Sequence, residues 1–513
     1  MVRHLAAGAR AMGATRLSAC AAALCLIGAE AGFGATRTVA TAEELEQALQ
    51  GLGPGSEVVL VDGVYATRRP ILIQGARGTE QAPISVRAGH GGRAEIGGAF
   101  GFVVRDCEYV VLEGFLLTHD ADQPAVLLDG SRHVRVTRNR FRLSERAAPR
   151  HKEYWVYVVG ARSANNRIDH NEFGLKKNAG GTVFVRGDDA ALVCSQHDRV
   201  DRNRFCGVPF VEGKTGRESI RTGGNDLGAS GQSSFTVIEE NLLEGCCGDE
   251  EIVSLKSSDN LVRNNTLLNC RGAICLRLGN RDTVCGNFVL NPAGAAGCGG
   301  VKLYGYDHRV YNNTFCGLTG EKHEAPLALI PGTLGEPATQ RIGKAYDSLT
   351  TVPATRAWIA FNTWIDCAPL QFGTKEDAAR KHLPRECAFV NNLVVRTKPQ
   401  KPPLVNLGLV VGVRAVHNIG YDCERAPEEP WAGWFTFSEP RLRRADDRAL
   451  PWRLSGDSPA VDGADSAGQP VAVADDAFGR PRAGKPDIGA EEFGDGAPLR
   501  RPLTAADVGP AAP

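Results

Sequence analysis

The 513-residue chain is 42% hydrophobic and 23% charged, with 59 Lys+Arg balanced by 59 Asp+Glu. Zero net charge excludes bulk attraction to nucleic acid or to an anionic membrane, so any anionic partner must be met by a local cluster of cations. Sixty glycines and only two methionines suit short strands and tight turns better than helices, in a chain long enough to bury a large core.

Residues 1–31 have the pattern of a signal peptide. Arg3, Arg10 and Arg16 precede the apolar run Leu17–Gly28, and Ala29-Glu30-Ala31 offers a small-x-small cleavage site, which predicts export to the periplasm or medium. Leu17-Ser18-Ala19-Cys20 resembles a lipoprotein box, but it stands before the apolar run rather than at its end. No later run approaches the roughly eighteen apolar residues of a membrane span. Removing the segment takes Cys20 and Cys25 from the fifteen cysteines and leaves an odd number, which cannot all pair within one chain.

Ala40–Leu52 is predicted to be an amphipathic helix, with Thr41 as N-cap and Glu44 completing a capping box. A short strand follows at Val58–Val61. From residue 136 a phrase recurs: VTRNRF at Val136–Phe141, IDHNEF at Ile168–Phe173, VDRNRF at Val200–Phe205, VRNNTL at Val262–Leu267, VYNNTF at Val310–Phe315 and FVNNLV at Phe389–Val394. The repeat asparagines Asn139, Asn171, Asn203, Asn241, Asn265, Asn287, Asn313, Asn362 and Asn392 lie 22 to 49 residues apart. Strand-rich units of that size predict an all-β fold, a right-handed parallel β-helix (a single-stranded solenoid) over residues 36–425 with an N-terminal capping helix. Stacked asparagines would bond from coil to coil. Cys246, Cys270 and Cys367 each follow a repeat asparagine by five residues, which predicts stacked core thiols. A disulfide through Cys246 or Cys247 is the lesser alternative. Residues 426–493 are expected to form a capping segment, in which Asp462, Asp476 and Asp487 suit turns better than a metal site. Residues 494–513, rich in Ala, Pro and Gly, are expected to be disordered.

The charged stretch of the repeat lies between Gly248 and Asn280. Asp249 and Glu251 alternate as two outward positions of one strand would, where paired carboxylates can share a hard cation. Lys256 and Arg277 are 21 residues apart, close to the local coil length, and so belong on adjacent rungs. Odd parity between Glu251 and Lys256 requires a turn or bulge between them. Such a cluster suits removal of the proton beside a uronate carboxylate. A metal at Asp249 and Glu251 would neutralise the carboxylate, Lys256 would take the proton, and Arg277 would stabilise the developing charge or assist the leaving oxygen.

Asp249-Glu250-Glu251, Lys256-Ser257 and Arg277-Leu278-Gly279-Asn280 together resemble polysaccharide lyase family 6, the alginate lyase and chondroitinase B family. GPGSEVVLVDGVY near the start, ESIR at Glu218–Arg221 and GGVKLYGYDHRVYNNTF at Gly299–Phe315 extend that resemblance over most of the chain. It implies a calcium-assisted β-elimination with Lys256 as base, Arg277 as acid or its equivalent, and Asp249, Glu251 and Thr215 at the calcium-ligand positions. Asp249 stands where the family usually has glutamate, Thr215 where it has asparagine, and Leu278 where it has histidine. Arg221, Tyr304 and His308, with Tyr306 beside them, are candidate substrate contacts. Alginate is the expected polymer and dermatan sulfate the runner-up. An epimerase and a non-catalytic polysaccharide-binding β-helix are the competing readings.

Overall fold

The computed structural model describes residues 34–120, 123–144, 154–224, 231–334, 351–374, 378–399, 402–423, 430–447, 450–467, 469–494 and 496–513. The expected signal peptide lies outside them. Each repeat forms one coil of three short strands, and equivalent strands of successive coils pair in parallel to give long sheets of 14, 13 and 14 strands. Apolar residues of the repeat phrase point inward in register: Val136, Ile168, Val200, Ile238, Val262, Val284 and Val310 pair in succession, and all are fully buried. Inside the neighbouring sheet Phe141, Phe173 and Phe205 stack with ring centroids 4.7 and 4.8 Å apart, the spacing of strands in a sheet. The fold is the expected parallel β-helix.

The helix α1 (Ala42–Ala48) covers the first coil through Leu45 and Ala48, and it is shorter than the sequence suggests because Gly51, at φ +64°, turns the chain away. Thr41 Oγ1 accepts the Glu44 N–H at 3.1 Å, and the Glu44 carboxylate accepts the Ala40 N–H at 2.7 Å.

The asparagine ladder runs from Asn139 to Asn418, one member beyond the expected set. At each step the side-chain carbonyl of the next asparagine accepts the backbone N–H of the previous one at 2.8–3.0 Å and its side-chain amide at 2.9–3.1 Å. The residue before each asparagine takes a left-handed conformation, as Arg138, His170, Arg202, Glu240 and Asn264 do at φ near +54°. Buried bonds of this kind offset the strain of those turns. The described cysteines are all free thiols, and the Cys246 N–H donates to Cys270 Sγ at 3.4 Å.

The C-terminal segment departs from expectation. Only its first part closes the end of the solenoid, where Trp431 and Phe435 are buried. The rest runs back along the flank beside the asparagine turns. Asn391 binds the Asp465 backbone, Arg482 donates to Asn312 at 3.0 Å and Leu503 N–H donates to Thr266 Oγ1 at 2.8 Å. Residues 496–513, expected to be disordered, are docked: Arg138 donates to the carbonyls of Pro510 and Ala512 at 2.9 Å each, and Val508 and Ala512 are buried. Low apolar content does not prevent order when a preformed surface satisfies the backbone. Asp476 and Asp487 accept backbone N–H groups, as turn residues do.

Candidate active site

Four successive strands of the 13-stranded sheet build the site: β1 (Ile220–Thr222), β2 (Glu251–Leu255), β3 (Gly272–Leu276) and β4 (Cys298–Leu303). Thr222, Leu255, Leu276 and Leu303 are in register and face the core. Alternation therefore sets two outward rows: Arg221, Ser254, Cys275 and Lys302 on one side, and Gly223, Lys256, Arg277 and Tyr304 on the other. Lys256 and Arg277 occupy neighbouring rungs, as their spacing predicts.

The bulge demanded by parity is at Ile252, because Glu251 pairs with Ala273 while Val253 pairs with Ile274. It turns Glu251 toward the same groove as Ser254 and Lys256. Asp249 is placed differently from the expectation of two outward positions on one strand. It precedes β2 in a bend packed so closely that only glycine fits at Gly248, where a Cβ would meet Val208 Cγ1 at 2.3 Å and the Arg217 carbonyl at 2.9 Å.

Each acid of the cluster has a partner. Glu251 Oε1 receives Arg277 Nε at 3.1 Å, and its Oε2 accepts Ser254 Oγ–H at 2.5 Å and lies 4.0 Å from Lys256 Nζ. Glu218 Oε1 lies 3.9 Å from Lys256 Nζ and 3.5 Å from Arg221. Glu250 reaches Lys302 Nζ at 3.5 Å. Asp249 Oδ1 accepts the Glu251 N–H at 3.0 Å, and its Oδ2 accepts those of Gly216 and Arg217.

Burial pushes the Glu251 carboxyl upward, but the charges of Lys256, Arg277 and Lys302 outweigh it and hold the group at about 2. For Asp249, burial followed by the charges of Glu218 and Glu251 raises it to about 6. Burial lowers the Lys256 ammonium below the usual lysine range; Glu251 and Glu218 oppose that, while Arg221 and Arg277 reinforce it. Lys302 behaves oppositely: burial pulls it down, but its surroundings, Cys275, Tyr304 and the two glutamates, raise it well above normal. One lysine is thereby eased toward the neutral amine and the other fixed as a cation.

Tyr304 lies between two guanidiniums, 5.0 Å from Arg277 and 5.5 Å from Arg380. Arg221 stacks 4.5 Å over Phe184, whose ring in turn stacks on Tyr157 at 5.1 Å, so the groove floor continues as an aromatic platform. Tyr306 is mostly buried, with Arg356 5.4 Å from its ring. His308 is a correction to the candidate contacts. It is fully buried, its Nε2 bonds the Tyr304 carbonyl at 2.7 Å, and its Nδ1 accepts the Asp282 N–H at 3.1 Å. Burial lowers it to about 4, so it is a neutral link in a second turn ladder through Asn260 and Asp282. Leu278 is also buried. Glu218, Lys302 and Arg380 carry site geometry that the sequence did not single out. The Lys302-x-Tyr304 alternation, one coil beyond Arg277, was the available signal for the second of these.

The described residues do not fit a calcium ion. Calcium takes about six to eight oxygens. Thr215 is exposed, both oxygens of Asp249 are held by backbone N–H groups, and those of Glu251 by Arg277 and Ser254. Among the described residues no three Asp, Glu, His or Cys side chains converge closely enough to hold a metal.

The family model of chondroitinase B matches residues 39–425. The chain belongs to the chondroitinase B family, polysaccharide lyase family 6. Among solved structures of that family, the alginate lyase AlyGC superposes with a TM-score of 0.68 at 24% identity, over 87% of this chain and 60% of its own. This chain thus spans about 60% of the length of that relative. A mannuronic acid specific family 6 lyase from human gut microbiota matches with TM-score 0.63 and 23% identity over 79% and 91% of the two chains. A family 6 alginate lyase solved with a trisaccharide gives 0.67 and 18% over 81% and 88%. These likenesses carry the chondroitinase B fold. None of the curated proteins matches the sequence.

Proposed function

We propose that the protein is an exported lyase that cleaves a uronic acid polysaccharide, alginate in the first instance, by β-elimination. The observation that carries this is Lys256, a buried amine lowered in pKa on the rung beside Arg277 and within one strand of Arg221. A neutral Lys256 Nζ takes the proton from the carbon bearing the substrate carboxylate. Arg277 and Arg221 hold that carboxylate as charge moves onto it. The carbon–oxygen bond to the next sugar breaks, a carbon–carbon double bond forms, and the proton on Lys256 is returned to the departing oxygen. Glu251 keeps Arg277 oriented through the 3.1 Å pair. The Tyr157–Phe184 platform offers apolar ring faces to a neighbouring sugar.

Alginate is favoured because two of the similar solved structures are described as alginate lyases and a third as a mannuronic acid specific family 6 lyase. Dermatan sulfate is the second candidate, from the name of the family. Ultraviolet absorbance of the unsaturated uronate, followed on each polymer beside Lys256→Ala, tests the proposal. Product on alginate that the variant does not form is the expected result. Binding of both polymers with no product would leave a carbohydrate-binding β-helix instead.

A further inference from the structure

The acids of the site are already balanced by the protein itself. Three carboxylates, Glu218, Glu250 and Glu251, meet four cationic side chains, Arg221, Lys256, Arg277 and Lys302, at separations of 3.1–4.0 Å for the five ion pairs among them, and the fourth, Asp249, is held by backbone N–H groups. A divalent ion added to that set would have to compete with Arg277 for Glu251 and share the Asp249 oxygens with three backbone N–H groups. It would also sit against cations already in place.

Lys302 is the member without a part in the proposed chemistry. Its side chain is 3% exposed and shares the outward row of Arg221 and Ser254, with its ammonium 3.5 Å from the Glu250 carboxylate. An ammonium buried this deeply persists only where anions compensate it. Here those anions are Glu250 and Glu251.

We propose that Lys302 is a positioning residue that supplies, as a built-in ammonium, the positive charge a divalent cation would bring to these carboxylates, so that the site works without metal. The assignment rests on the reading of this cluster as the active site. Its consequence is a site whose charge balance is covalently fixed and indifferent to the calcium content of the medium.

The test is calcium binding, read separately from turnover. Wild-type protein is dialysed against chelator, then titrated with calcium chloride in a calorimeter and melted with and without ~5 mM calcium. No binding heat and a Tm unchanged within ~1 °C are expected, with the rate on the polymer unaffected by chelator. Lys302→Met leaves Glu250 and Glu251 without that charge. Its Tm should fall and recover in part on adding calcium, whereas Lys302→Arg should match wild type in both respects. A calcium-dependent rise in the wild-type Tm overturns the proposal, as does a Lys302→Met protein that folds and responds to calcium no more than wild type does. If Lys302→Met does not fold, the wild-type titration and Lys302→Arg decide the matter. A protein that binds no calcium and forms no unsaturated product would refute the lyase reading while leaving the metal-free balance of the cluster standing.

Discussion

Glu218 offers the sharpest test of how the base is tuned. Its carboxylate is 3.9 Å from Lys256 Nζ in a groove where both side chains are at least nine-tenths buried. At an effective dielectric near 20, a charge at that distance stabilises the ammonium by about 4 kcal/mol at most. Arg221, 3.5 Å from the same carboxylate, shares its charge, and relaxation of the groove reduces the effect further, leaving about 1 to 2 pKa units. Glu218→Gln removes an anion that favours protonated Lys256, so the lysine pKa falls and more neutral amine is present at a given pH. The acid limb of the kcat/KM profile, where activity rises as the base loses its proton, should therefore move about 1 to 2 units toward lower pH. The assay is the initial rate of ultraviolet absorbance on alginate from acid to alkaline buffers, with circular dichroism confirming the fold at each pH. A limb that stays in place, or moves upward, would refute the assignment of Lys256 as the titrating base.

Lys256→Ala should reduce turnover by about 10²–10⁴-fold in the same absorbance assay, with circular dichroism checking that the variant is folded at the assay temperature. Asn265→Ala deletes bonds to Asn287, Ile238 and Arg263 and leaves the buried N–H of Asn241 unpaired, so chemical denaturation should show a loss of about 2–4 kcal/mol. His308 is held neutral with a folded pKa of about 4, whereas an unfolded histidine titrates near 6.5; the unfolded state therefore binds more protons, and stability falls as pH drops from about 6.5 toward 4. His308→Gln should flatten that part of the stability–pH curve while leaving kcat at neutral pH unchanged. Deleting residues 497–513 removes the Arg138 and Arg202 contacts of the flank segment and should lower Tm; an unaltered Tm would show that the segment contributes nothing to stability.

The repeat specifies the fold because it is a local pattern with a long-range consequence: an inward apolar residue followed three places on by asparagine must recur once per coil for the ladder to close. Thr41 and Glu44 likewise mark a helix start within four residues. The pairing of Lys256 with Arg277 followed from coil length alone, and the bulge before Lys256 followed from parity. Other properties belong to the stacked coils. His308 has the composition of a substrate contact, but the turn in which it lies folds inward, and the Tyr304 carbonyl and the neighbouring rung's Asp282 N–H already engage both nitrogens of its ring. Residues 496–513 carry too little apolar surface to order themselves, yet the half-buried turns of Arg138 and Arg202 offer them hydrogen bonds from several hundred residues away in the chain. Lys302 was visible as a residue within a familiar phrase, but its role required knowing that Glu250 lies across two rungs. Sequence determined which residues repeat, and therefore the coil; the side-by-side packing of coils decided which charges meet, because a strand's outward neighbours come from rungs above and below rather than from its own segment.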